Sequence, residues 1–161
     1  MRRLALSLAV LAASALPASA QDFIESAGGS WWVVGLDLSC LAINRSPIEF
    51  NASPYNAIVL HQYKTDNLPR LQAFFWPGAF TEGRRVQLSI TPDGRRTVNL
   101  EAQAITSYQA VTLEVAPEDL LEAMSNVQVT TVKAEKITQI LMFETGPIEA
   151  VADLMGKCIG R

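Results

Sequence analysis

Two stretches of alternating apolar and polar residues flank Thr91-Pro92-Asp93-Gly94, and an antiparallel hairpin is the arrangement that satisfies both sides of that turn. Proline presets the backbone for the second position of a type I turn, and Gly94 supplies the positive φ of a following bulge. Pairing Thr91 with Arg95 sets Ser89 opposite Thr97, Gln87 opposite Asn99 and Arg85 opposite Glu101 on one face. The other face then carries Val86, Leu88 and Ile90 against Leu100 and Val98. The same pairing places Gly83-Arg84-Arg85 and Gly94-Arg95-Arg96 on the order of 20 Å apart. The repeated basic element therefore reads as two solvated strand ends, with Arg85 facing Glu101, rather than as one anion site.

Strand character extends over most of the remaining chain. Trp31 to Cys40, rich in aromatic and β-branched residues, reads as a first strand, and Ala57 to Lys64 and Leu71 to Trp76 as two more joined by the turn Thr65-Asp66-Asn67. Tyr108 to Val115 follows with Val111, Leu113 and Val115 facing inward, then Val127 to Lys133 and Ile137 to Phe143. The consecutive Ile140, Leu141, Met142 and Phe143 predict a central strand, apolar on both faces. Asn44 to Tyr55, with Pro47 and Pro54, reads as a loop. Pro117-Glu118-Asp119 starts a short helix with Leu120, Leu121 and Met124 as its apolar stripe. Gly146-Pro147-Ile148-Glu149 opens a C-terminal helix with Ile148, Val151, Met155 and Ile159 on one face. The expected fold is mainly β: an antiparallel β-sandwich or open barrel of seven or eight strands with two short helices, the last at the C-terminus.

Residues 1–20 have the form of an export leader. Arg2 and Arg3 precede the apolar run Leu4 to Leu16, and Ala18-Ser19-Ala20 offers a cleavage site. The expected organisation is a cleaved signal peptide over 1–20, a flexible lead-in over 21–30 ending in Gly28-Gly29-Ser30, and one β-rich domain over 31–161. The leader accounts for much of the mean hydropathy of +0.17, and no later run is long and apolar enough for an integral membrane segment after signal cleavage. Without Arg2 and Arg3 the chain keeps 11 cationic against 16 acidic side chains, a balance that disfavours nucleic acid as a partner. In an oxidising compartment Cys40 and Cys158 read as a disulfide closing 118 residues. The competing readings are a pair of buried free thiols, or a reactive Cys40 working with His61.

The inventory of reactive groups is short. His61 is the single histidine, and no HExxH or CxxC spacing accompanies it, so neither a metal site nor a cofactor is expected. A hydrolase would have to use His61 without a GxSxG elbow. No catalytic residue is assigned. Phe74-Phe75-Trp76-Pro77-Gly78-Ala79-Phe80 stands out, because strand alternation prevents all its rings from facing one core. It reads either as a second small core under the Asn44 to Tyr55 loop or as an interaction surface carried by Phe75, Trp76 and Phe80.

With Trp32-Val33-Val34 near the start of the mature chain and the stretch from Phe143 to Leu154 at its end, the outline resembles the invasion-associated locus B family of small proteobacterial envelope proteins. In that family a Cys follows the Trp-x-Val strand within a couple of residues, whereas here it stands at position 40. The resemblance implies a β-sandwich-like periplasmic or secreted protein linked to envelope or host-cell interaction, and it transfers no site residues. The expected function is a non-catalytic binding protein whose partner is another envelope or host protein. A small periplasmic inhibitor of a hydrolase, presenting Pro77 to Glu82, and a small hydrolase using His61 are the alternatives.

Overall fold

The computed structural model describes residues 23–160 apart from Ser46, Asn126 and Pro147; the expected leader and its cleavage site lie outside the described residues. The described residues form ten strands and three helices. In chain order they are β1 (Ile24–Gly28), β2 (Trp31–Leu36), β3 (Ser39–Ile43), α1 (Pro47–Ala52), β4 (Ala57–Tyr63), β5 (Arg70–Phe74), β6 (Arg85–Pro92) and β7 (Val98–Ala104). After these come β8 (Gln109–Thr112), α2 (Glu118–Ser125), β9 (Val129–Ala134), β10 (Ile140–Glu144) and α3 (Ile148–Ile159). All strands join one antiparallel sheet in the order β1-β2-β3-β4-β5-β8-β7-β6-β9-β10, so the mainly β fold and the C-terminal helix are as the sequence predicts.

The sheet is rolled. Its last strand returns to the first half, where the Trp31 indole N–H donates to the Thr145 carbonyl at 2.8 Å and the Asn44 side-chain amide donates to the Glu144 carbonyl at 3.0 Å. One core collects Trp31, Val33, Ile58 and Leu71 from the first half and Leu88, Ile90, Val132 and Phe143 from the second. Helix α3 packs against β1 to β4 and α2, burying Ile148, Val151, Leu154 and Met155. Alternation splits the two adjacent tryptophans: Trp31 is fully buried, while Trp32 turns to the outer face and is half-buried.

Cys40 and Cys158 form the disulfide, with Cα atoms 6.2 Å apart, and it ties α3 to β3. Gly35, opposite Cys40, makes this closure possible: a Cβ there would stand 2.9 Å from the Phe23 Cβ and 3.3 Å from the Cys158 Sγ. Only a residue without a side chain lets β1, β2 and α3 meet at that point.

Several expectations need correction. Within the expected flexible lead-in over 21–30, Ile24–Gly28 is an edge strand paired with β2, because Gly28 and Gly29 take positive φ and turn the chain back on itself. Trp31 to Cys40 is two strands, reversed at Asp37 and Leu38, and the Asn44 to Tyr55 loop holds the six-residue helix α1. The β6/β7 hairpin pairs Ser89 with Asn99, Gln87 with Glu101 and Arg85 with Gln103, two residues away from the predicted register. Pro92 extends β6 instead of entering the bend, since the far side of β6 pairs with β9 as far as Pro92↔Thr130; the Arg95 amide then donates to the Pro92 carbonyl at 3.0 Å. In β8 the buried residues are Ala110 and Thr112, and the expected inward residues Val111, Leu113 and Val115, the last two beyond the strand, are half-exposed. Ala73, Ala102 and Ala104 face the same core, and the Thr112 hydroxyl satisfies itself with the Leu71 amide at 3.1 Å and the Glu114 carbonyl at 2.8 Å. Finally, β10 is an edge and not a central strand, with Ile140 and Met142 on its exposed face.

Candidate functional site

Strand alternation distributes the aromatic segment over three environments. Phe74, the last residue of β5, points to the outer face, where a second core of Val34, Ile43, Ala57 and Val59 is roofed by Phe50 of α1 and by Tyr108. The Phe50 and Phe74 rings meet edge to face at 5.1 Å, so the anticipated small core under the 44–55 segment exists. Phe75 points the other way and is fully buried; Phe80 folds back through the Pro77-Gly78 turn to meet it edge to face at 5.2 Å, 8% exposed. Phe75 and Phe80 therefore cannot form an exposed surface. The turn returns Phe80 to the sheet because its amide donates to the Ser107 carbonyl at 3.0 Å.

Trp76 remains, and it is 60% exposed. It is also fixed. Its backbone amide donates to the Gln139 side-chain oxygen at 2.9 Å, and its indole N–H donates to the Asn56 side-chain oxygen at 2.9 Å. Gln139 donates to that same Asn56 oxygen at 2.7 Å, which closes a three-residue ring of contacts. Asn56 holds φ at 54°, a left-handed conformation that asparagine tolerates better than most side chains. Gln139 directly precedes β10, whose outward residues Ile140 and Met142 are 50% and 70% exposed. Asn56 and Met142 also line a polar cleft of about 480 Å³ at the seam where β10 meets the first half of the sheet, together with Trp32, Asn44, Arg45 and Glu49. Arg45 is held there by donating to the Ser53 carbonyl at 2.7 Å and to the Tyr55 carbonyl. Long-range folding thus joins Trp76 to β10, a juxtaposition with no trace in local sequence spacing.

His61 lies on the outer face of β4. Its Nδ1 accepts from the Gln72 side-chain amide at 2.9 Å, Gln109 donates on to Gln72 at 3.0 Å, and the ring lies at 4.5 Å from that of Tyr63. Nε2 is buried and meets no hydrogen-bond partner among the described residues. Burial and the Arg70 cation hold the imidazole below its ordinary 6.5, with Asp66 opposing. The unfolded chain then binds more protons than the folded one between the lowered value and 6.5. Stability from this group is present above 6.5 and is lost as pH falls through the folded value. The urea midpoint should therefore drop on acidification from about pH 7 to about pH 5, and His61→Phe should flatten that slope. An unchanged slope in the variant would assign the acid sensitivity elsewhere.

The two Gly-Arg-Arg elements lie at opposite ends of the β6/β7 hairpin, and Arg85 reaches Glu101 at 3.6 Å with both side chains largely in solvent. Among the described residues no three His, Cys, Asp or Glu side chains come together as a metal site, and no helix is long and apolar enough to cross a membrane. The disulfide is compatible with an oxidising, extracytoplasmic compartment. In comparison with known proteins, the chain matches no family model, no curated protein and no solved structure. Fold and geometry define a disulfide-tied rolled sheet that carries a fixed, exposed tryptophan beside an apolar edge strand.

Proposed function

We propose that this chain is an exported, non-catalytic binding protein of the bacterial envelope, periplasmic or secreted, that engages a protein partner through Trp76, Ile140 and Met142. The observation that carries this reading is the anchoring of Trp76 by Gln139 and Asn56. A large exposed ring whose indole N–H is bonded to Asn56, on a backbone amide bonded to Gln139, has already lost part of the freedom that binding would otherwise remove, and tryptophan is favoured among residues that dominate interfaces. Ile140 and Met142 extend the apolar surface along a strand at the sheet edge. The leader-like residues 1–20 and the single disulfide support export. The resemblance to the invasion-associated locus B family is what points to envelope or host-cell contact.

A periplasmic hydrolase as the partner, with this chain as its inhibitor, is favoured by one feature. The exposed Pro77 and Gly78 adjoin Trp76 in a turn pinned by the buried Phe80, which gives a stiff projecting loop of the kind inhibitors present.

The test is capture of partners from envelope extract by wild-type protein and by a Trp76→Ala/Met142→Ser double variant. The variant should keep its cooperative unfolding, because both side chains are mostly in solvent. It should lose at least about tenfold in partner retention, the scale of one interface hot spot. Equal retention by a folded double variant would remove this face from the function.

A further inference from the structure

A separate cleft of about 520 Å³ opens between α2, α3 and the turn that joins β4 to β5. Its lining is apolar: half-exposed Leu68 and Leu121 and exposed Ala152 stand over the buried Leu60, Val151 and Met155. Its rim is acidic. Glu118 and Glu122 of α2 and Glu149 of α3 all line it, and among the described residues no lysine or arginine does. Carboxylates in the first turns of two helices are accounted for by the helix ends alone. What the helix ends do not account for is their placement. The chain sets Glu118 and Glu149 around one concave hydrocarbon surface that is large enough for a small organic molecule.

We propose that this cleft is a binding site for a small organic cation with an apolar body, of the alkylammonium type. The hydrocarbon part would cover Leu68, Leu121 and Ala152, and the cationic head would lie beside the Glu118 and Glu149 carboxylates. Charge sign selects the ligand: a fatty carboxylate of the same length would meet the same lining but a repulsive rim. Apolar burial supplies the attraction common to both, and the rim supplies the difference between them. This site does not depend on the Trp76 face, and either can fail without the other.

The probe is n-octylammonium, titrated into the protein by calorimetry at low ionic strength, with octanoate and n-octanol as anionic and neutral counterparts. Saturable binding at one site per chain is expected for the cation, weaker binding for the alcohol and none for octanoate. Glu118→Gln/Glu149→Gln should weaken the cation by about fivefold, the scale of two partly exposed charge contacts, and leave the alcohol unchanged. Added salt should reproduce the loss. Ala152, exposed on α3 and lining the cleft, gives an independent variant: Ala152→Trp should fold and fill the space, abolishing binding of cation and alcohol alike. Octanoate binding as tightly as octylammonium would overturn the proposal. So would an unchanged affinity in the Glu variant, or in a folded Ala152→Trp protein.

Discussion

Joint replacement of Cys40 and Cys158 by alanine is expected to lower the unfolding free energy by about 4 to 5 kcal/mol on the chain-entropy model, because the bond closes 118 residues and so restricts nearly the whole unfolded domain. The native side contributes in the same direction. Both sulfurs belong to the main core, and Cys158 sits near the end of α3, the helix that covers β1 to β4. Two signatures accompany the loss. Denaturant sensitivity should rise, since an uncrosslinked unfolded chain exposes more surface, and hydrogen exchange should quicken first in α3 and β1, the elements that the bond and Gly35 hold together. A loss below about 1 kcal/mol would mean that the open unfolded chain is already restricted, in conflict with the entropic account. Two alkylatable thiols in the native protein would remove the bond itself.

The disulfide was legible because it needs only the count of cysteines and a compartment. The faces of the β6/β7 hairpin were legible for a different reason. An error of two residues in register leaves every side chain on its own face, because the strand period is two, so Leu88 and Ile90 are core residues whether they oppose Leu100 and Val98 or their neighbours. The register itself was decided by β9, which pairs along the other side of β6 and draws Pro92 into the strand. That strand is 37 residues further on, from Pro92 to Val129, and no turn rule carries it. The reversal at Asp37 and Leu38 was hidden because it lacks the Asn-Gly or Gly-Gly signature of most tight hairpins. Helix α1 was hidden because Pro47 and Asn51 read as loop residues, whereas proline in the first turn of a helix is well tolerated.

The candidate interaction surface was legible only in outline. Alternation required the Phe74 to Phe80 segment to divide between faces, but it could not say that two faces would each have their own core. The outer core takes Phe74 because Phe50 and Tyr108 come from α1 and from the loop before β8 to cover it. Trp76 is left over, since β5 has already ended and Gln139 and Asn56 meet it from segments 63 and 20 residues away. The run Ile140 to Phe143 misled for a related reason. Four apolar residues in succession suit a strand covered on both sides, yet an edge strand with a sticky outer face has the same composition.

Phe80→Ser should destabilise the domain by about 3 kcal/mol or more, the scale of truncating a buried aromatic, although the residue lies just past a Pro-Gly turn. The ring meets fully buried Phe75 edge to face, so its removal opens a cavity against the main core and leaves a hydroxyl there to be satisfied. Trp76→Ser, four residues earlier, removes a larger ring and its indole hydrogen bond to Asn56 but should cost no more than about 1 kcal/mol, because the lost surface was mostly in water. The contrast between the two is the discriminating result. An aromatic segment acting as one exposed patch would give two small losses, and a Phe80→Ser protein within about 0.5 kcal/mol of wild type would restore Phe80 to the surface. A Phe80→Leu variant then separates folding from recognition. Leucine keeps enough apolar volume to hold the turn against Phe75 with a milder loss, and it leaves Trp76, Gln139 and Asn56 untouched. It should capture partners as wild type does, whereas Trp76→Ala should not. Loss of capture in a folded Phe80→Leu protein would show that recognition depends on the turn the ring supports rather than on the tryptophan face.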